Sequence, residues 1–151
     1  MISKIPRFLQ QLFKKNVEFR QNTKEKVIFL TFDDGPVPEV TNKVLEILKR
    51  YNAKATFFCV GDNIRKYPEC YQSLLDQGHS VGNHTMYHSN GLRTTFEDYK
   101  TSVEECEALC ESNLFRPPYG RITKKQLRYV KSKGYRIILW TVISFDYNKK
   151  Y

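Results

Sequence analysis

Apolar positions along the chain switch repeatedly between two periods. From Val27 to Phe32 they run without a break ("VIFLTF"), which predicts a short buried strand. The next segment, "PEVTNKVLEILKRYN", places Val40, Val44, Ile47 and Leu48 at helical spacing, with Pro38 suited to a first turn. A second apolar run, "ATFFCVG", predicts another strand. "YPECYQSLLDQG" predicts a helix closed by Gly78, and "HSVGNH" a short strand. Thr95 and Asp98 match a capping box, and the helix they open, to about Glu111, sets Tyr99, Val103, Cys106 and Cys110 on one face. "LFRPPYG" predicts a strand end entering a Pro-rich turn. "TKKQLRYVKSKG" predicts a helix with Thr123 as N-cap and Gly134 at its end, and "YRIILWTVI" a last strand.

Regular strand–helix alternation over 151 residues predicts one α/β domain with a mostly parallel sheet and helices outside it. Chemistry in such folds gathers at the carboxyl ends of the strands. Two adjacent carboxylates, Asp33 and Asp34, stand at the end of the first strand, where mutual repulsion and desolvation make them costly. A bound cation removes that cost. All three histidines lie in "GHSVGNHTMYH". His84 and His88, four apart on one turn or in a tight loop, can point two imidazoles at one ion, and with one Asp they make a facial site with open positions. The second Asp then stands beside a metal-activated water as a base. His79 precedes its strand and is read as a packing residue. In "FRPPYG", Arg116 offers a fixed cationic fork to a carboxylate, and the Tyr119 N–H a donor to an oxyanion.

Charge and cysteines change the picture little. A net charge of +9 is compatible with an acidic polymer, a membrane surface or nucleic acid, but no arginine-rich tract, zinc-finger spacing or RNA-binding signature accompanies it, so nucleic acid is not expected as a partner. Residues 1–24 form a basic segment in which Ile5, Phe8, Leu9, Leu12 and Phe13 recur at helical spacing. They predict a docked helix, with weak membrane-surface association as the alternative. No apolar run approaches the roughly 18 residues of a membrane span, and no export signal is recognised. The four cysteines are expected to be small core residues, which with the missing export signal points to a cytoplasmic or membrane-associated location.

In order and spacing, "TFDDGP", "HTMYH" and "RPPYG" resemble the first three motifs of the polysaccharide deacetylase family, the nodulation-type deacetylase domain of carbohydrate esterase family 4. The similarity runs from about Val27 to Tyr147. It implies a distorted (β/α) barrel, here lacking its C-terminal βα units, over residues 25–151. It also implies metal-dependent removal of N- or O-acetyl groups from glycans of the N-acetylglucosamine polymer, peptidoglycan or xylan type. Under the resemblance Asp34, His84 and His88 hold a divalent metal, most commonly Zn2+, with Co2+, Ni2+ or Fe2+ as alternatives. Asp33 is the general base, Arg116 holds it, and Tyr119 supplies the oxyanion donor beside Pro117. Asp146 and Tyr147 stand where the family places an Asp-Trp pair, the Asp serving catalysis and the aromatic ring lining a sugar pocket. The family's last motif carries a general-acid histidine, and no histidine follows His88 in this sequence. The alternative reading is therefore a catalytically impaired metal- and glycan-binding domain. An amidase of small cyclic imides, known among relatives of this fold, ranks third because "TFDDGP" is intact.

Overall fold

The computed structural model describes residues 3–4, 17–21, 23–144 and 146. These residues form seven strands: β1 (Ser3–Lys4), β2 (Leu30–Asp33), β3 (Ala55–Cys59), β4 (Ser80–Asn83), β5 (Leu114–Phe115), β6 (Arg136–Ile137) and β7 (Val142–Ile143). Among the described residues five helices accompany them, α1 (Pro38–Arg50), α2 (Gly61–Lys66), α3 (Pro68–Asp76), α4 (Phe96–Glu107) and α5 (Lys124–Ser132), with a 3₁₀ turn at Pro118–Gly120. Strands β2 to β6 form one parallel sheet in sequence order, and β1 pairs antiparallel with β7. Because each crossover returns the chain in the same direction, the carboxyl ends of β2, β4 and β5 open on one side of the sheet.

Two apolar clusters hold the layers together. One joins α1, α3, β3 and β4 through Leu45, Leu48, Phe57, Leu74 and Val81, with Cys59, Cys106 and Cys110 filling its small spaces. The other joins α4, α5, β5 and β6 through Tyr99, Val103, Phe115, Val130 and Ile137. All four cysteines are buried free thiols, and Tyr99, Val103, Cys106 and Cys110 share the buried face predicted for α4. Burial raises the Cys106 and Cys110 thiols to about 12 and about 11, consistent with small apolar fillers. His79 packs as expected: it is buried, its ring meets the edge of Phe57, and its Nδ1 accepts from the Ala55 N–H at 3.3 Å. Thr123 caps α5 with a full capping box to Gln126. Thr95 caps α4, and the Asp98 carboxylate accepts from the Thr95 hydroxyl rather than from its backbone.

Four sequence expectations change. The run from Val27 is not a buried strand. Only Leu30–Asp33 pairs, at the edge of the sheet that the described residues form, and Val27, Ile28, Phe29 and Leu30 are exposed. On α1 the buried positions are Thr41, Leu45 and Leu48, with Val44 part-buried, while Val40 and Ile47 face outward. The helix expected from Tyr67 is preceded by a separate short one, α2, broken from α3 at Tyr67–Pro68, since the residue before a proline resists the helical conformation. The last strand is two short strands, and between them Ile138 and Leu139 pair instead with Glu18. The helix expected over residues 5–13 lies outside the described residues. No described helix is long and apolar enough to cross a membrane.

Candidate active site

Three strand ends deliver the site. Strand β2 stops at Asp33, and Asp34 turns out of it with a left-handed backbone, φ 68°. The turn points successive carboxylates in different directions. Asp33 faces Arg116, and Asp34 faces the histidines. Strand β4 ends at Asn83, and the loop behind it carries His84 and His88, with Thr85 (φ 65°) and His88 (φ 52°) also left-handed. This loop, not a helical turn, gives the i, i+4 pair its convergence. The ring centroids lie 5.1 Å apart.

The Nε2 atoms of His84 and His88 stand 3.4 Å and 3.1 Å from Asp34 Oδ1. One donor atom from each of the three residues falls within 4.8 Å of the others. His84 is buried, His88 partly so, and the Asp34 side chain is 68% exposed, so the cluster has a walled side and an open side. His84 Nδ1 lies 2.6 Å from the Arg116 carbonyl oxygen. A carbonyl only accepts, so Nδ1 carries the proton and Nε2 keeps its lone pair for the cluster. The adjacent His84 and His88 rings hold the Asp34 carboxyl far below the usual carboxylate range. The donor set fits a divalent cation: two neutral imidazoles, one ionised carboxylate and open positions for water and substrate.

Arg116, at the end of β5, is 2% exposed. Its Nη1 donates to Asp33 Oδ1 at 2.6 Å and to Thr31 Oγ1 at 2.8 Å. Nε and Nη2 donate to the carbonyls of Ile138 (3.1 Å) and Leu139 (3.4 Å). The Phe58 ring lies 4.0 Å below the guanidinium carbon. Burial lowers the pKa of Arg116 and the Asp33 carboxylate opposes that shift, so the pair is ionic. Arg116 thus orients both halves of the site, Asp33 through its side chain and His84 through its carbonyl. Pro117 and Pro118 are buried behind it. Tyr119 takes a left-handed backbone (φ 59°), and its ring lies 4.5 Å from that of His88 at the open side.

Asp146 is not brought into this group. It is exposed and accepts from Ser144 Oγ at 2.7 Å. Tyr147 lies outside the described residues. The sequence reading missed the supports. Asn63 donates to the Asp34 carbonyl at 2.7 Å. The buried Asn83 accepts from the Thr85 N–H (2.8 Å) and donates to Val103 O and the Tyr135 hydroxyl, both at 3.0 Å. The Ser102 hydroxyl accepts from the Met86 N–H at 3.0 Å. An asparagine inside an otherwise apolar strand, directly before a candidate ligand, was the available signal for Asn83.

The polysaccharide deacetylase family model matches residues 20–138, and the chain belongs to that family. A peptidoglycan-N-acetylglucosamine deacetylase of Bacillus cereus is 36% identical over 126 residues, which are 80% of this chain and 46% of the relative. Among solved structures, Bacillus subtilis PdaA, a family 4 carbohydrate esterase, superposes with a TM-score of 0.75 at 32% identity. The match covers 89% of this chain and 61% of that one. A family 4 pseudoenzyme of Bacillus anthracis superposes with a TM-score of 0.72 at 25% identity, over 82% of this chain and 46% of its own. The chain therefore spans about half the length of these relatives, and its parallel α/β sheet is the fold that they share.

Proposed function

We propose that the chain is a metal-dependent hydrolase that removes acetyl groups from a glycan, with N-acetylated amino sugars as the principal substrates and acetyl esters as a second class. The observation that carries this reading is the pairing of two units at adjacent strand ends: the Asp34–His84–His88 donor cluster, and an Asp33 carboxylate fixed by Arg116. Asp34, His84 and His88 would hold the cation. When bound, it would polarise the acetyl carbonyl and lower the pKa of a nearby water. Asp33 takes the proton of the attacking water. Arg116 keeps that carboxylate aimed, and Thr31 accepts from the same guanidinium nitrogen. The Tyr119 N–H, on a left-handed turn, would donate to the acetyl oxygen where charge collects, while the Gly120 N–H closes the turn on the Pro117 carbonyl at 2.9 Å. The exposed Tyr119 ring offers a face to a sugar. The C–N or C–O bond then breaks as the proton held by Asp33 passes to the leaving nitrogen or oxygen, giving acetate and a free amine or hydroxyl.

The test is acetate release from an N-acetylglucosamine oligomer and from an aryl acetate, with added zinc or cobalt. Asp33→Asn is expected to lower turnover by about 10²–10⁴-fold, the usual worth of a general base. Calorimetric titration should still show one metal bound. Release that survives Asp33→Asn unchanged would overturn the assignment of the base. The family also contains pseudoenzymes, as the Bacillus anthracis relative shows. A folded, metal-loaded chain that binds the oligomer without releasing acetate would place this protein with them.

A further inference from the structure

The three residues of the donor cluster stand just past the paired part of the sheet. The last paired residue of β2 is Asp33, opposite Phe58, and the last on β4 towards β3 is Asn83, opposite Cys59. Asp34 and the two histidines follow them on separate loops, with β3 lying between. The chain that leaves β3 joins these loops. The Val60 N–H donates to Gly35 O at 2.9 Å, and Asn63 Nδ2 donates to Asp34 O at 2.7 Å. Between them, the N–H groups of Gly61 and Asp62 donate to the carbonyls of Thr85 (3.1 Å) and Met86 (2.9 Å). Four successive residues, at the junction of β3 and α2, are thus bonded to the carboxylate loop and to the histidine loop together. The fit on the histidine side is close. A Cβ at Gly61 would come within 2.5 Å of Met86 Sδ and 3.2 Å of Cys106 Cβ, so glycine is what lets α2 approach this far.

Three of these bonds come from the backbone, which any residue except proline would supply. The fourth comes from a side chain. Asn63 is only partly buried, so the core does not call for it. Its partner is the carbonyl of Asp34, whose backbone is left-handed at φ 68°. That region is costly for a residue with a Cβ, and it persists where neighbouring groups hold it. We propose that Asn63 is a positioning residue for the cation site. By tying the Asp34 peptide to α2, and through α2 to the loop of His84 and His88, it sets the spacing of the three donor atoms before a cation arrives. The inference rests on the reading of this cluster as a divalent-cation site. Asn63 acts on the Asp34 peptide and not as a ligand. Without it, the carboxylate must be ordered when the cation binds, and that ordering is subtracted from affinity.

Calorimetric titration of the full chain with zinc is expected to show binding about tenfold weaker in Asn63→Ala than in the wild type. Lys66→Ala, exposed on the same helix, should bind zinc like the wild type. The metal-free melting temperatures of the three proteins should agree, whereas a fixed zinc concentration should raise that of Asn63→Ala the least. Equal zinc affinity in the wild type and Asn63→Ala would overturn the role of Asn63 and leave the cation site standing. So would an equal loss in Lys66→Ala. So would a metal-free melt of Asn63→Ala lowered as far as its zinc-loaded one, which would make Asn63 a residue of the fold only. A wild-type chain that takes up no zinc would overturn the cation reading itself, and this inference with it.

Discussion

Asn83 shows how much one side chain can carry. It is fully buried, and both its amide hydrogens and its side-chain oxygen are spent on fixed partners: the Val103 carbonyl on α4, the Tyr135 hydroxyl beyond α5 and the Thr85 N–H ahead of it. Its own carbonyl accepts from the Arg116 N–H at 3.0 Å. The histidine loop and the arginine turn are therefore fastened at one point. Asn83→Ala takes a hydrogen bond from three buried partners and should cost about 1–3 kcal/mol in urea unfolding. It should also weaken zinc binding in a calorimetric titration, although Asn83 is not a ligand. Unchanged zinc affinity in a destabilised protein would make Asn83 a core residue only. The candidate ligands were legible in the sequence, because paired acids and i, i+4 histidines are conspicuous without a structure. Asn83, Asn63, Thr31 and Ser102 were not. Each is an ordinary polar residue whose meaning is the partner it finds, and those partners lie up to 85 positions away.

At the scale of elements, helices were read better than strands. The faces of α4 and α5 and the caps at Thr95 and Thr123 follow from local spacing and local hydrogen bonds. Strand β2 was misjudged because an apolar run records composition and not neighbours, and α1 for the same reason on its outer side. The stretch 135–143 was read as one strand, since nothing in "YRIILWTVI" announces that Glu18 would intervene. That contact also serves the site: Leu139, whose N–H bonds Glu18, gives its carbonyl to Arg116. Arg136 holds the Glu18 pKa below its ordinary value, mainly by hydrogen bonding. A depressed folded pKa contributes stability above the unfolded pKa and loses it as pH falls through the folded one. Glu18→Gln is accordingly expected to lower the melting temperature at neutral pH, by no more than about 1 kcal/mol in stability because the pair is solvent-screened. The gap from wild type should close as pH falls from about 5 to about 3. A gap independent of pH would assign the loss to packing and not to charge.

For the whole molecule, the fold class and the end of the sheet that carries the chemistry were legible, because alternation of periods is a global signal. Among the described residues five non-glycine positions take left-handed backbones, and four of them (Asp34, Thr85, His88 and Tyr119) belong to the site or its loops. Each costs on the order of 1–2 kcal/mol relative to an unstrained residue. Thr85, branched at Cβ, is the least suited of all. Tyr119→Asn, which tolerates that geometry, should therefore raise stability by up to about 1 kcal/mol in a thermal melt while weakening sugar binding. In evolutionary terms the scaffold has set aside part of its thermal margin in these four turns. A lineage released from selection for turnover would be expected to reclaim that margin there first, acquiring glycine or asparagine at the rim while the sheet beneath stayed as it is.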